Sequence, residues 1–280
     1  MTTARAAAAS GALSIRNLGK TYDPAGAAVV ALEECSAEIA AGEFVAIVGP
    51  SGCGKSTLLN IVAGFDQPTG GEVLLDGALL ARADRPARPG PDRVVVFQHG
   101  TLFPWMTVLD NAIYGPTRQR TLTKEAAKAR ALEMLRTTGL EAAAHRHPAQ
   151  LSSGMQRRVE IVRALMNEPR VLLLDEPFRA MDTVSKSVMH RHLLQVHALY
   201  PKTVVFITHD LEEAIFLADT VYVMTTRPGR IKQVLKVDLQ RPRTPEMLAS
   251  HAYLELKRAV AHGVHEEARK AFERGERELA

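Results

Sequence analysis

The sequence contains no apolar run near the ~18 residues that would cross a bilayer as a helix, and it has only two cysteines, Cys35 and Cys53. The first absence leaves the chain expected to be soluble by itself, with any membrane role supplied by a partner. The second excludes a disulfide framework and fits a reducing compartment. A concentrated basic segment is also missing. Lys and Arg are spread along the chain for a formal net charge of +4, a mildly basic surface that gives no reason to expect nucleic acid as a partner. The apolar stretch near the N-terminus is too short for a secretory signal, so residues 1–12 are expected to form a flexible tail. No internal repeat is visible. What remains is 280 residues with 46% hydrophobic and 24% charged side chains, ordinary globular composition with ample length for a buried core.

The most informative stretch is 44–60, F-V-A-I-V-G-P-S-G-C-G-K-S-T-L-L-N. An apolar strand pattern runs into a glycine-rich loop, and a helical pattern follows. The spacing is that of a phosphate-binding loop: Gly49, four residues, then Gly54, Lys55 and Ser56. A triphosphate is dense negative charge, and successive N–H groups at a helix N-terminus form a nest for it. Gly49, Gly52 and Gly54 let the backbone turn tightly, with Pro50, Ser51 and Cys53 between them and Thr57 just beyond. Lys55 is expected to reach the β/γ-phosphates, and Ser56 to ligate Mg²⁺. The competing reading is a strand–turn–helix corner with chance glycines.

The rest of the chain alternates strand and helix patterns. Strands are expected at 13–18 and 29–39 as an antiparallel layer, with a turn at 20–24. Further strands fall at 72–76, 94–97, 171–174, 204–207, 221–224 and 231–237. Helices fall after Lys55 to about 62, at 124–138 capped by Thr123, at 184–199 and at 211–218, and another follows the loop ending at Gly154. Residues 99–116 read as loop around the aromatic cluster Phe103-Pro104-Trp105. The fold class is therefore α/β: a P-loop NTPase core with a mostly parallel sheet, an antiparallel β-layer and an inserted helical subdomain at about 100–166. The domain is expected to cover 13–240, with a charged helical tail over 241–280.

Ligands bind at the C-terminal edge of open parallel sheets. Asp175 and Glu176 end an apolar strand there. Asp175 is expected to hold Mg²⁺ through water, and Glu176 to polarise a water for attack on the γ-phosphate. Gln98 and His209 also end strands. Gln98 is placed to touch Mg²⁺ and the attacking water, His209 to meet the γ-phosphate. The stretch L-S-S-G-M-Q, with Ser152, Ser153, Gly154 and Gln156, opens a helix and so offers a second anion site. One chain needs only one γ-phosphate site, so a two-fold dimer in which each chain completes the other's ATP site accounts for the pair.

With these residues together, the sequence resembles ABC transporter ATPase subunits over about residues 13–240. The resemblance rests on G-P-S-G-C-G-K-S-T (49–57), Gln98, L-S-S-G-M-Q (151–156), V-L-L-L-D-E-P (171–177), F-R-A-M-D (178–182) and His209. It implies that Tyr22 stacks on adenine and that Asp182 links two composite sites across the dimer. It implies ATP and Mg²⁺ as cofactors, and a homodimer or a pair with a similar ATPase subunit. It further implies a membrane permease gripped near the Gln98 loop, indirect coupling to a solute-binding protein, and a place on the cytoplasmic face of the inner membrane. Residues 102–112 and 225–231 resemble the nitrate/sulfonate/taurine class of importers. Phe103 and Trp105 read equally as permease contact or as subdomain core. Two departures stand out. Ser153 replaces a usual Gly, at a cost on the order of 1 kcal/mol if its backbone is left-handed, and Arg179 also stands where Gly is usual. The alternative functions are a soluble ABC-type ATPase without a permease, which usually carries two ATPase halves or long insertions, and a small-molecule P-loop kinase, which would lack L-S-S-G-M-Q.

Overall fold

The computed structural model describes residues 10–179 and 181–274. Strand β3 (Phe44–Val48) lies inside a six-stranded sheet and is buried along its whole length. Its parallel neighbours are β8 (Thr203–Ile207) and β9 (Thr220–Met224). Beyond β8 come β7 (Val171–Asp175) and β6 (Arg93–Val96), also parallel, and β10 (Ile231–Lys236) adds antiparallel to β9. Alternation along β3 feeds two cores. Phe44, Ala46 and Val48 face one, whereas Val45 and Ile47 face the other. A strand buried on both faces reads as an unbroken apolar run, which is how β3, β7 and β8 appear in the sequence.

A second, antiparallel sheet has the order β2-β1-β4-β5, from β1 (Leu13–Tyr22), β2 (Val29–Ile39), β4 (Gly70–Leu75) and β5 (Ala78–Arg82). Helix α1 (Lys55–Ala63) buries Leu58, Leu59, Ile61 and Val62 in the core it shares with Leu13, Ile15 and Val73 of this sheet. The expected turn at 20–24 is corrected: β1 continues through Tyr22, which pairs with Val29, and the reversal begins at Asp23. Pairing with β2 holds Lys20, Thr21 and Tyr22 in the strand, and the turn propensity of Asp23-Pro24 acts only beyond them.

Between β6 and β7 lie α2 (Val108–Arg118), α3 (Lys124–Thr137) and α4 (Ser153–Leu165). They pack through Val108, Ala112, Ala127, Ala131, Leu135, Val159 and Val162. Helix α2 overturns part of the loop expected over 99–116. Thr107 caps it by accepting from the Asp110 N–H at 3.1 Å. Pro116, which reads as a breaker, sits in its last turn; it removes one intrahelical bond there, but only Thr117 and Arg118 follow it in the helix, so little helix is lost. As expected, Thr123 caps α3.

Helices α5 (Thr183–Leu199) and α6 (Leu211–Leu217) flank β7, β8 and β9 in sequence. Helix α7 (His251–Glu273) then lies across α6, β9 and β10, burying Tyr253, Val260, Gly263 and Glu267 at seven- and three- to four-residue intervals along one face. Of the expected tail, residues 1–9 lie outside the described residues, and Gly11 and Ala12 donate their N–H groups to Asp76. Among the described residues, no helix is long and apolar enough to cross a membrane.

Candidate functional site

The C-terminal edges of β3, β6 and β7 converge on a cleft of about 540 Å³. Ser51, Gly52, Gly54, Lys55, Ser56 and Thr57 form its floor. Gly54 caps α1 with φ +100, and a Cβ there would stand 2.8 Å from the Ala31 carbonyl, so both conformation and space demand glycine. Lys55 is buried, and its ammonium donates to the Gly49 and Pro50 carbonyls at 2.8 and 2.9 Å. The cation is thus folded back over the mouth of its own loop. Cys53 is buried beneath, and burial pushes its thiol pKa up.

Opposite the loop, Asp175 ends β7 and accepts from the Ser56 hydroxyl at 3.4 Å. Burial, followed by the Glu176 charge, holds the Asp175 carboxyl above its ordinary value despite that bond. Two oxygen ligands face each other across a site that disfavours an uncompensated carboxylate, an arrangement that suits a cation. Among the described residues no cluster of three or more His, Cys, Asp or Glu side chains surrounds it. Mg²⁺ fits such a set, since it is commonly bound by one or two protein groups plus substrate phosphates.

Glu176 follows with φ +42, a left-handed conformation uncommon for a non-glycine residue. Its N–H donates to the Ile207 carbonyl. One carboxylate oxygen meets His209 Nδ1 at 3.2 Å and Arg179 Nη1 at 3.3 Å. The structure therefore brings Glu176 and His209 together, and it adds Arg179, noted in the sequence only as a departure. Gln98 lines the same cleft.

Tyr22 is at the cleft's outer rim. Its hydroxyl donates to Asp66 at 2.8 Å, and Lys20 lies 4.7 Å from its ring centroid. Burial raises its phenol pKa. Asp66 was not anticipated; it anchors both Tyr22 and Lys20, whose ammonium is 2.5 Å away.

The 151–156 element stands apart. Ser152 caps α4, its hydroxyl accepting from the Met155 N–H at 3.3 Å. Neither Ser152, Ser153 nor Gly154 lines the cleft of its own chain. Ser153 occupies the first helical position and is not among the residues with positive φ, so the strain considered for this substitution does not arise. Gly154 has open space where a Cβ would stand. Gln156 braces its own loop, donating to the Pro148 and Leu151 carbonyls. Asp182 caps α5 by accepting from the Ser185 N–H at 3.0 Å; Ala180, two positions before it, lies outside the described residues.

Sequence reasoning missed one more group. Arg157, one turn into α4, donates to the Phe97 and Gln98 carbonyls at 2.6 and 2.7 Å and pairs with Glu160 at 2.7 Å. Glu160 accepts from the Thr101 N–H, and Arg163 donates to the Thr101 carbonyl. The i, i+3, i+6 spacing of 157, 160 and 163 marks one helix face, but only the fold shows that this face holds the Gln98 loop. Just beyond, Phe103 packs on Tyr114 at 4.8 Å and Trp105 at 5.6 Å, while Trp105 itself remains 71% exposed.

Residues 32–179 match the family described as ABC transporter. The chain is 42% identical over 260 residues to an uncharacterized ABC transporter ATP-binding protein of Methanocaldococcus jannaschii, covering 93% of this chain and 94% of that protein. It is 42% identical to the nitrate import ATP-binding protein NrtD of Synechococcus elongatus, covering 85% of each. The bicarbonate transport ATP-binding protein CmpC of the same species is 40% identical, but this chain spans only 38% of its length. Among solved structures, the dimer of MJ0796, a bacterial ABC transporter cassette, has a TM-score of 0.68 at 33% identity, covering 81% of this chain and all of that one.

Proposed function

The chain belongs to the ABC transporter family and is an ATPase of the ABC type, and from that premise we propose that it works as one half of a pair that closes on ATP and drives a membrane permease. The observation that carries this reading is that its two candidate anion-binding elements do not line one cleft. Lys55 and Ser56 floor the cleft, yet Ser152 and Gly154 do not line it. A second copy, turned by a two-fold axis, supplies its own 152–154 turn to this cleft and receives the same in return. The dimeric cassette of similar fold supports that arrangement.

Within the composite site each residue has a distinct task. The N–H groups of 49–57 and the Lys55 ammonium bind the phosphates, leaving the Gly49 and Pro50 carbonyls when the nucleotide enters. Ser56 and Asp175 would hold Mg²⁺, with Gln98 beside them, and the bound metal would neutralise phosphate charge. Glu176 orients and deprotonates the attacking water, His209 fixes the γ-phosphate, and Tyr22 carries the adenine. Asp182 connects the two sites by its place at the start of α5. The exposed aromatic surface at Phe103 and Trp105, tied through Arg157 to the Gln98 loop, suits a permease segment. The partner complex would sit at the cytoplasmic membrane face. Similarity to the nitrate import protein supports a small anion of the nitrate/sulfonate/taurine type as cargo.

The test uses Glu176→Gln. This variant should bind Mg-ATP, lose at least about a hundredfold in hydrolysis rate, and elute as a dimer only with ATP. Copurification of the native chain with a multi-span membrane protein checks the coupling. Wild-type turnover in the variant removes Glu176 from the mechanism, and recovery of the native chain without any membrane protein favours an ATPase that serves another process.

A further inference from the structure

The loop 225–230 and helix α7 have no task in the reading above, yet they meet at the cleft. Arg227 lines it, and its Nη2 donates to the Gly52 carbonyl at 3.4 Å. The rest of this loop is fixed against the phosphate-binding turn. A Cβ on Gly229 would stand 2.1 Å from the Cys53 carbonyl, so only glycine permits this approach. The Gly229 N–H donates to the Ala31 carbonyl at 2.9 Å, and its carbonyl accepts from Glu33 at 3.2 Å. Thr225 closes the loop internally, donating to the Pro228 carbonyl and accepting from the Arg230 N–H.

Helix α7 holds the other side. Glu267, with a 2% exposed side chain, accepts from the Thr226 N–H at 3.0 Å and pairs with Lys232 and Lys270 at 2.8 Å each. Arg274 at the helix end donates to the Arg227 carbonyl at 3.0 Å. The backbone of 226–227 is therefore gripped by α7, while the Arg227 guanidinium is left at the cleft.

We propose that Arg227 is a further phosphate-contacting residue of the nucleotide cleft, and that Glu267 and Arg274 of α7 are its positioning residues. The inference rests on the reading that this cleft takes ATP. Arg179 is committed to Glu176 at 3.3 Å, and Lys55 to carbonyls within its own loop. Among the described residues, the Arg227 guanidinium has one hydrogen bond at the cleft, a long one to the Gly52 carbonyl. A phosphate oxygen offers the guanidinium a shorter, charge-assisted partner. Gly52 belongs to the phosphate-binding turn and lines the same cleft, so the guanidinium already stands beside that turn. Helix α7 thereby sets nucleotide affinity from outside the cleft.

Calorimetric titration of the full chain with Mg-ATP, Mg-ADP and adenosine tests this. Arg227→Ala should weaken ATP and ADP by about tenfold, the loss of one charge-assisted bond. Adenosine affinity should be unchanged, and Arg227→Lys should restore part of the loss. Arg274→Ala, at the exposed helix end, and Glu267→Gln should each weaken ATP several-fold in the native background and add nothing to Arg227→Ala. Native ATP affinity in Arg227→Ala, or an equal loss for adenosine, overturns the phosphate contact. Undiminished effects of the α7 variants in the Arg227→Ala background overturn the positioning role. Lys55→Ala separates the two levels: if it too keeps native ATP affinity, the assignment of the cleft falls with the proposal.

Discussion

Asp175 is costly to the empty protein and, in the function proposed, necessary to the loaded one. Burial is the largest cause of its raised pKa. A carboxyl that binds its proton more tightly when folded favours folding below the ordinary aspartate range, and that advantage is lost as pH rises through the raised folded value. Asp175→Asn mimics the protonated form. It should raise the melting temperature of nucleotide-free protein at neutral pH, with the gain vanishing as pH falls to about 4, while abolishing Mg²⁺-dependent ATP hydrolysis. A thermal-shift series across pH checks it, and a lower melting temperature at pH 7 would sink the argument. Glu176, two-partnered and left-handed, is a second instance of local cost in the candidate site.

At the scale of elements, the decisive contacts join helices to the loops that end strands. Asn111 in α2 is fully buried, and its amide accepts from the Phe103 N–H while donating to the Phe103, Met106 and Thr107 carbonyls. This one side chain therefore fixes the aromatic loop. Asn111→Ala leaves the half-buried Phe103 N–H and Met106 carbonyl without their partner and should cost about 3 kcal/mol in urea denaturation. Thr123→Ala removes one exposed cap from α3 and should cost only about 1 kcal/mol. Equal losses would show that the Asn111 network has no special weight. Helix α2 was hidden in the sequence because Phe103-Pro104 and Pro116 read as loop, whereas α3 was legible from Thr123 and the apolar spacing that follows.

For the whole molecule the central claim is that neither chain contains a complete site. Chains carrying Lys55→Ala and chains carrying Gly154→Asp should each lack ATPase activity. Mixed in equal amounts, they form some dimers in which the native phosphate loop of one chain meets the native 152–154 turn of the other. Activity should then return to at most about a quarter of native, since half of randomly paired dimers are mixed and each holds one intact site. A mixture as inactive as its components would place the 152–154 turn outside a shared site. The same scale explains α7: it crosses from α6 to β10 and reaches the cleft only because β9, β10 and their loop carry the contact inward.

The sequence by itself determined the parts whose chemistry is local. The phosphate loop, the Asp175-Glu176 pair and the capped turn at 152 are each written in consecutive residues, because nests, caps and strand ends need only near neighbours. Most strands were legible for the same reason, since burial on both faces leaves an unbroken apolar run. Tertiary structure alone decided what joins them. Glu176 meets His209 across 33 positions, Arg157 grips Gln98 across 59, and Arg227 reaches Gly52 across 175. Such pairings depend on strand order and helix packing, which no local pattern encodes. They are also what makes α7 a neighbour of the cleft.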